Sequence, residues 1–494
     1  MTVFDISQLS EQNPWWISAD RIFKDQKIIQ WEKSKIRWDP RIRHFIKLDN
    51  DVIYTLRGPR QVGKTTLVKI IIKNLLINQN VKPKNVFFWD CTRNNLQELH
   101  DIMKIYLEWR INGGDSRKYI FLDEVCGIID WTKEIKYFSN MGDLKNCSLV
   151  VTGSHSMDMK HSTELLPGRR GGDGSNPLDK ILLPMKFSEF AEMMIPNFKQ
   201  KMFDYGVKGQ DDRKNKILAL FRGKIDSGIE EMMIYKRQLD SILEDYLLTG
   251  GIPSTINEYV ENEKISANLF TVYLNAIIGD LKKYNYKEES FKQMTKQIFV
   301  KLTTPVSWNE FTKNTEVKSH NTIADYMMAL EELFVAKSSY RHSVTDGRIH
   351  TYLKKIYIQD PFIFHALHGF VNSKKDYFEN AKANVLNLET KSKLIECVVH
   401  NHISRFAYCL IKRDLFDPKD FIFFYRDKRE KEIDFLLLYD DKFYPFEVKY
   451  QRRIENSDFR PFENFKCGVL ITKDEFGLHG NFVKIPLSVF LALV

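Results

Sequence analysis

Short apolar runs alternate with helical patterns between residues 51 and about 190. The strand-like runs are DVIYTL, VFFW, YIFLDEV, CSLVVTG and KILLPM. Helical patterns lie between them, beginning at Lys64, over LQELHDIMKIYLEWRI and at Trp131. This alternation is typical of a parallel sheet with helices on both faces, so we predict an α/β domain. Upstream, residues 1–50 form a polar leader in which IFKDQKIIQWEKSKI is predicted to be one amphipathic helix packed on that domain.

The rest of the chain shows three further patterns. Residues from about 196 to 285 are helical, with a turn at TGGIPS. Residues 286–350 predict three helices, the second opening with a capping box at Ser307-Trp-Asn-Glu310, and then the basic segment SSYRHSVTDGRIHTY. That order indicates a winged helix-turn-helix. Residues 351–494 predict a second α/β unit, with a helix over KLIECVVHNHISRF and strands FIFFYR, IDFLLLY, KFYPFEVKY and CGVLITK.

Composition limits the class of protein. The 494 residues are about three times the usual domain length, and the apolar (43%), aromatic (13%) and charged (28%) fractions exclude disordered, collagen-like and disulfide-scaffold proteins. The net charge of +9 permits a polyanionic partner without requiring one. The six cysteines lack zinc-site spacing, and we find neither a signal segment nor an apolar run of about 20 residues. We therefore expect a cytoplasmic protein without a membrane partner.

A glycine-rich loop with the pattern G-x-x-x-x-G-K-[ST] lies between the first predicted strand and the helix that follows. In such a loop the glycines let backbone N–H groups approach phosphates, the lysine reaches the outer phosphates, and the threonine hydroxyl ligates Mg²⁺. The predicted nucleotide-binding residues here are Gly58, Pro59, Arg60, Gln61, Val62, Gly63, Lys64, Thr65 and Thr66. A chance glycine-rich turn is the alternative.

The apolar strand IFL ends in two carboxylates, Asp123 and Glu124. We expect Asp123 to hold Mg²⁺ and Glu124 to orient or deprotonate an attacking water. Acidic residues after a strand also serve as helix caps, which is the alternative here. After the next strand, the hydroxyl of Thr152 or Ser154 would lie beside the γ-phosphate, unless the segment is a plain turn.

Arg169 and Arg170 lie in the loop LLPGRRGGDGSNPLDK. Either is a candidate for an arginine that stabilises the transition state, in the same or a neighbouring subunit, with Arg169 preferred. Solvent exposure or nucleic-acid contact is the alternative role.

These residues together resemble a known family, the archaeal and bacterial AAA-superfamily (STAND-like) P-loop ATPases with a winged helix and a C-terminal restriction-endonuclease-like domain. The resemblance rests on the segments NPWW, GPRQVGKTTL, FLDEVCGIIDW, VVTGSHS, LPGRR, LPMKFSEF and YLLTGGIP. The resemblance implies an α/β multidomain protein with an ASCE/AAA-type core, Lys64 and Thr65 on phosphates and metal, Asp123 and Glu124 as the Walker B pair, and Ser154 near the sensor position. The expected domains are a leader (1–50), P-loop ATPase core (51–195), helical lid (196–285), winged helix (286–350) and restriction-endonuclease-like domain (351–494).

A second acidic pattern, D-x12-E-x-K, lies on the predicted hairpin of the last domain. Asp434, Glu447 and Lys449 form it, and Glu396 on the preceding helix would complete a metal shell. Two carboxylates and a lysine at strand ends can bind divalent metal and activate water for phosphodiester hydrolysis. The pattern resembles the PD-(D/E)xK nuclease signature, with Ile433 at the proline position. A solvated edge pair on an amphipathic strand is the alternative.

The predicted function follows from these sites. We expect an ATPase that binds ATP or ADP with Mg²⁺ and couples nucleotide state to DNA binding and metal-dependent DNA cleavage. The alternative is a nucleotide-dependent signalling or partner-binding switch with an inactive nuclease-like tail. Assembly into a homo-oligomer is compatible with either function. Basic residues expected near DNA are Lys313, Lys318, His320, Lys337, Arg341, His342 and Arg348, although such residues also form solvated faces.

Overall fold

The chain folds into two compact units. The computed structural model describes residues 4–111, 116–154, 159, 166, 170–172, 176–283, 286–313, 315–317, 319–343, 349–426 and 431–494. The N-terminal unit comprises Met1–Leu183 and Lys412–Leu415, and the C-terminal unit comprises Pro184–Ile411 and Phe416–Val494.

The N-terminal unit contains a parallel sheet with the strand order β2-β3-β4-β1-β5. The strands are β1 (Val52–Arg57), β2 (Val86–Asp90), β3 (Lys118–Asp123), β4 (Cys147–Gly153) and β5 (Asp179–Ile181). The helices are α1 (Ile6–Gln12), α2 (Gln26–Lys33), α3 (Lys64–Lys73), which continues as a π-helical turn (Asn74–Asn78), α4 (Leu96–Ile111) and α5 (Trp131–Met141). Short 3-10 helices cover Pro14–Trp16, Ala19–Lys24, Arg41–Phe45, Pro83–Asn85 and Val125–Gly127.

This sheet confirms the predicted parallel α/β core. Every residue of β1 and β4 is buried, as expected for parallel strands covered on both faces. Strand β4 pairs with β1 on one side and with β3 on the other. Because the carboxyl ends of parallel strands meet at one edge, the segments that follow these three strands are adjacent.

The leader differs from the single helix that its periodicity predicts. A 3-10 helix over Ala19–Lys24 ends at Asp25, whose backbone is extended with ψ 130°. The Asp25 side chain accepts a hydrogen bond of 2.9 Å from the Lys27 N–H and so caps a new helix, α2. The leader packs on β2, since the indole N–H groups of Trp15 and Trp16 donate to the Val86 carbonyl at 2.9 and 2.8 Å.

The C-terminal unit begins with helices and ends with a large mixed sheet. Its helices are α6 (Phe187–Met194), α7 (Phe198–Asp204), α8 (Gln210–Leu220), α9 (Ser227–Met232), α10 (Lys236–Thr249), α11 (Pro253–Asn262), α12 (Ala267–Lys283), α13 (Glu288–Lys301), α14 (Trp308–Thr312), α15 (His320–Glu332), α16 (Pro361–Val371), α17 (Tyr377–Leu386), α18 (Leu388–Leu410) and α19 (Leu487–Leu493). Short 3-10 helices cover Met233–Tyr235, Pro418–Asp420 and Asn456–Asn464. Its strands are β6 (Ala336–His342), β7 (Ile349–Ile358), β8 (Ile422–Arg426), β9 (Glu432–Tyr439), β10 (Lys442–Lys449), β11 (Gly468–Thr472), β12 (Gly477–His479) and β13 (Phe482–Pro486).

The C-terminal sheet has the order β12-β13-β11-β10-β9-β8-β6-β7. Strands β9 and β10 form the predicted antiparallel hairpin. The capping box of α14 is confirmed, because the Ser307 N–H donates to the Glu310 carboxylate at 3.4 Å. The antiparallel hairpin β6-β7 follows α15, and β6 also pairs with β8, so the expected boundary at residue 350 falls within a strand of this sheet.

Among the helices that the structure describes, none is both long and apolar enough to span a bilayer.

A buried histidine makes the C-terminal unit sensitive to acid. Burial lowers the pKa of His402, on α18, to about 3. Its Nδ1 lies 2.8 Å from the Val398 carbonyl, and its Nε2 accepts from the Phe187 N–H at 3.0 Å. A proton on Nε2 would remove that acceptor.

We expect the unit to lose stability as pH falls from 7 to 5, because a pKa depressed below the unfolded value of 6.5 gives stability that is complete above pH 6.5 and lost toward pH 3. The loss approaches about 1.4 kcal/mol per pH unit for this group. His402→Gln, which keeps an acceptor for Phe187, should lose less stability than wild type in thermal unfolding at the two pH values. The exposed His320→Gln is the control, and equal losses in wild type and His402→Gln would refute the assignment.

Candidate functional site

The loop between β1 and α3 has the conformation of an anion site. Gly63 has φ +102° and Gln61 has φ +59°, so the backbone turns through the left-handed region before α3 begins at Lys64. At Gly58 an added Cβ would lie 2.1 Å from the Leu182 carbonyl oxygen, so only glycine fits. The N–H groups in the first turn of α3 have no intrahelical acceptors, which leaves them available to an anion.

Lys64 is the buried cation of this loop. Its side chain is 4% exposed, and its Nζ donates to the carbonyls of Gly58 and Pro59 at 3.0 Å each. Burial lowers the pKa of Lys64, while Glu124, with Oε1 3.6 Å from Nζ, favours the charged form. The ammonium is therefore held over the loop by two carbonyl oxygens, with the Glu124 carboxylate 3.6 Å away.

Asp123 joins the loop to the sheet. Its side chain is 3% exposed and accepts from the Thr65 hydroxyl at 2.6 Å, while its other oxygen accepts from the Thr152 hydroxyl. Burial raises the pKa of Asp123, and the two hydroxyl donors oppose that shift. A carboxylate and a hydroxyl oxygen are ligands that Mg²⁺ prefers, so Thr65 and Asp123 fit that ion.

Glu124 is held in position by β4. Its backbone has φ +53°, and its N–H donates to the Thr152 hydroxyl at 3.0 Å. The Ser154 hydroxyl donates to Glu124 Oε2 at 3.1 Å. The two hydroxyls that the sequence left as alternatives therefore contact different carboxylates, with Thr152 on Asp123 and Ser154 on Glu124.

Of the two arginines in the glycine-rich loop, the structure describes Arg170. Arg169 lies outside the described residues. Arg170 is 9% exposed and donates to the Ile53 carbonyl and the Thr55 hydroxyl, each at 3.2 Å. Burial lowers the pKa of Arg170. Its guanidinium is thus engaged along β1, close to the ion pair of Arg57 with Asp179 at 2.8 Å.

Comparison with known families agrees with this geometry. Residues 50–191 match a family model described as an AAA domain. The N-terminal unit carries an AAA-type P-loop ATPase domain. Residues 240–374 and 391–488 match two models described as domains of unknown function, DUF8612 and DUF4143. No curated protein sequence matches the chain.

Several solved structures are similar to the chain. A Walker-type ATPase of Pyrococcus abyssi is 13% identical over 64% of this chain and 91% of its own, with a TM-score of 0.38. The RuvB Holliday junction branch migration motor of Thermotoga maritima is 15% identical over 67% and 91%, with a TM-score of 0.24. The ORC1 protein of Aeropyrum pernix, solved in complex with DNA, is 9% identical over 72% and 96%, also with a TM-score of 0.24.

The predicted acidic pattern of the C-terminal unit is brought together at the β9-β10 hairpin. The Asp434 N–H donates to Glu447 Oε2 at 3.1 Å, and the Val448 N–H donates to Asp434 Oδ2 at 3.0 Å. Lys449 Nζ lies 2.9 Å from Glu447 Oε1. Burial acts to raise the pKa of Glu447 and of Glu396, while the neighbouring ammonium groups of Lys449 and Lys355 favour the charged carboxylates.

Lys355 of β7 is the member of this cluster that sequence reasoning missed. Its Nζ lies 2.9 Å from Asp434 Oδ1, 3.3 Å from Glu396 Oε1 and 2.5 Å from Glu432 Oε1. The side chain is 1% exposed. Burial acts to lower the pKa of Lys355, but the carboxylates outweigh it and raise the pKa well above the ordinary value. The available signal was a pair of lysines inside the apolar strand-like run YLKKIYI.

In the part of the chain that the structure describes, no group of three or more His, Cys, Asp or Glu side chains is arranged to hold a metal ion. The physical reason here is the Lys355 ammonium, which lies between the oxygens of Asp434 and Glu396.

Removing the Thr152 hydroxyl tests how the first site is held. We expect Thr152→Val to destabilise the N-terminal unit by about 1 to 3 kcal/mol, because a buried Asp123 oxygen and the Glu124 N–H lose their partner. Urea unfolding followed by tryptophan fluorescence measures this unit, since of the eight tryptophans only Trp308 lies outside it. Thr152→Ser keeps the hydroxyl and should retain most of the stability. Equal stability of Thr152→Val and wild type would show that these hydrogen bonds contribute nothing.

Proposed function

We propose that the AAA domain binds ATP with Mg²⁺ and hydrolyses it. The observation that carries this proposal is the meeting of Lys64, Thr65, Asp123 and Glu124 at one sheet edge, with 2.6 Å between Thr65 and Asp123 and 3.6 Å between Lys64 and Glu124. A cation, a pair of metal ligands and a second carboxylate that can orient water are the groups that phosphoryl transfer to water requires.

Each residue has one role in this proposal. The loop N–H groups over residues 58–66 and the Lys64 ammonium hold the phosphates. Thr65 and Asp123 hold Mg²⁺, which neutralises charge on the phosphate oxygens when bound. Glu124 orients the attacking water, and Ser154 fixes the Glu124 carboxylate through its hydrogen bond of 3.1 Å. Arg169 stays a prediction as the arginine that stabilises the transition state.

The Lys64 and Glu124 contact suggests how the domain reports its nucleotide. A bound phosphate would draw the Lys64 ammonium toward itself and weaken the 3.6 Å contact between Lys64 Nζ and Glu124 Oε1. The Glu124 carboxylate would then keep its hydrogen bond from Ser154 and contact water. The position of Glu124 then differs between the empty and the occupied loop. We propose that this difference is the nucleotide-dependent change that the rest of the chain uses.

Two substitutions separate binding from hydrolysis. We expect Lys64→Ala to abolish ATP binding, because the buried counter-charge for the phosphates is lost. Glu124→Gln should bind ATP but hydrolyse it at least about 100-fold more slowly, because the base or water-orienting carboxylate is removed while Asp123 stays. Binding of a fluorescent ATP analogue and phosphate release measure the two steps. The exposed Lys82→Ala and Glu108→Gln are matched controls, and hydrolysis by Glu124→Gln at the wild-type rate would remove Glu124 from the mechanism.

DNA binding is a second candidate function for the C-terminal unit. Lys313 and His320 are exposed around the connection from α14 to α15, and the chain carries a net charge of +9. One residue of the expected basic set is excluded by its position: His342 is buried, with its ring centroid 4.3 Å from that of Phe443. Arg341 Nε donates to the Arg426 carbonyl at 3.1 Å. Lys318 and Arg348 lie outside the described residues.

Salt dependence tests this candidate. We expect Lys313→Ala with Lys318→Ala to weaken duplex DNA binding for all sequences and to reduce the slope of log K against log salt by up to about 1.8, since each lost phosphate contact contributes about 0.9. Fluorescence anisotropy over a salt series provides the slope. Lys199→Ala with Lys201→Ala, on exposed positions of α7, removes the same charge and should change little. An unchanged slope in the first variant would place the DNA contact elsewhere.

The position of Lys355 favours the inactive-tail alternative for the C-terminal carboxylates. Metal-dependent cleavage by Asp434, Glu447 and Lys449, with Glu396 in the metal shell, stays a prediction. The ammonium among the carboxylates instead supports a nucleotide-dependent switch whose C-terminal unit has a binding role.

A further inference from the structure

The carboxylate cluster of the C-terminal unit is organised around one ammonium group. Lys355 Nζ lies within 3.3 Å of three carboxylates, those of Glu396, Glu432 and Asp434. A Mg²⁺ ion would need oxygen ligands at about 2.0 to 2.1 Å around the same point. The cation already present and an added divalent cation would therefore compete for one place.

The strand register sets the face from which Lys355 reaches the cluster. Lys355 lies inside the β6-β7 ladder, where Ser339 pairs with Lys355 and Ser338 pairs with Ile356. Alternate residues of a strand face opposite sides, and the neighbouring Lys354 places its Nζ 4.0 Å from the centre of the Trp308 ring. The Lys355 side chain therefore leaves the strand on the face opposite that of Lys354, where the three carboxylates lie.

Buried carboxylates need a positive partner, and Lys355 supplies it. An uncompensated charge in the interior is strongly destabilising, whereas an ion pair with good hydrogen-bond geometry is tolerated. Glu447 is covered separately by Lys449 at 2.9 Å, and Asp434 accepts in addition from the Val448 N–H. Both oxygens of Asp434 and both oxygens of Glu447 are thus close to a protein ammonium or N–H group.

We propose that Lys355 takes the place of a divalent metal in this cluster, so that the C-terminal unit holds its carboxylates as a lysine-centred ion-pair network and binds no metal there. The proposal extends the inactive-tail alternative and is independent of ATP hydrolysis. Its direct consequence is that removing the Lys355 charge creates a metal site from residues that are already in position.

Manganese titration without nucleotide tests the proposal. Free Mn²⁺ is measured by electron paramagnetic resonance against wild type, Lys355→Met, and Lys355→Met combined with Asp434→Asn. We expect wild type to take up no more Mn²⁺ than Asp434→Asn alone. Lys355→Met should bind about one additional ion per chain through carboxylate oxygens, and Asp434→Asn should abolish that gain. Lys354→Met removes a neighbouring lysine on the opposite face and should gain no site.

Thermal unfolding gives a second measurement. The Tm of wild type should be the same in Mn²⁺ and in chelator, whereas Mn²⁺ should raise the Tm of Lys355→Met. If Lys355→Met does not fold alone, adding Asp434→Asn and Glu396→Gln should restore folding, because the uncompensated charges are removed with their cation. Failure of that rescue, or Mn²⁺ binding by wild type that Asp434→Asn abolishes, would overturn the proposal. ATP hydrolysis measured on the same variants stays at the wild-type rate in either case, so failure of the ATPase proposal would be recognised separately.

Discussion

Asp123 is a carboxylate almost fully removed from water, and the arrangement of the AAA domain depends on how its two oxygens are satisfied. One accepts from Thr65 at the start of α3, and the other accepts from Thr152 on β4. The two donors come from different elements, so a single buried charge ties the phosphate loop, the central strand and its neighbour together. Loss of either donor leaves a buried oxygen unpaired, which costs more than a hydrogen bond on the surface contributes.

The order of the strands makes this arrangement possible. Because β4 lies between β1 and β3, its last residues face the ends of both neighbours. Thr152 and Ser154 are two positions apart and reach Asp123 and Glu124 respectively. Asp123 and Glu124 are therefore held by side chains of β4 and of the residue just after it. The left-handed backbone of Glu124 is stabilised by the hydrogen bond of its N–H to Thr152.

The C-terminal unit meets the same constraint by different chemistry. Its buried carboxylates are neutralised by the ammonium groups of Lys355 and Lys449 instead of by hydroxyl donors. The difference matters for metal ions: a threonine hydroxyl can itself become a metal ligand, whereas an ammonium group repels the ion and occupies its place. Under our two proposals, the site at Asp123 exchanges its ligands, whereas the cluster around Lys355 keeps its lysine and binds no metal.

The sequence alone determined the features that depend on neighbouring residues. Four features follow from local patterns, and the structure has them at those positions: the glycine-rich loop, the carboxylates of Asp123 and Glu124 at the end of β3, the capping box at Ser307 and the β9-β10 hairpin. The prediction of one leader helix was wrong, also for a local reason. Asp25 has an extended backbone and its side chain caps a new helix, so the apolar periodicity around it does not give one continuous helix. Tertiary structure decided the rest. It buries Arg170 and His342, and it places the Thr152 hydroxyl on Asp123 and the Ser154 hydroxyl on Glu124. It also brings Lys355 to Glu396 and Asp434, which lie 41 and 79 residues away along the chain. Strand pairing over such separations is set by how whole elements bury their faces, and no short segment of sequence records which distant side chains will then share one buried charge.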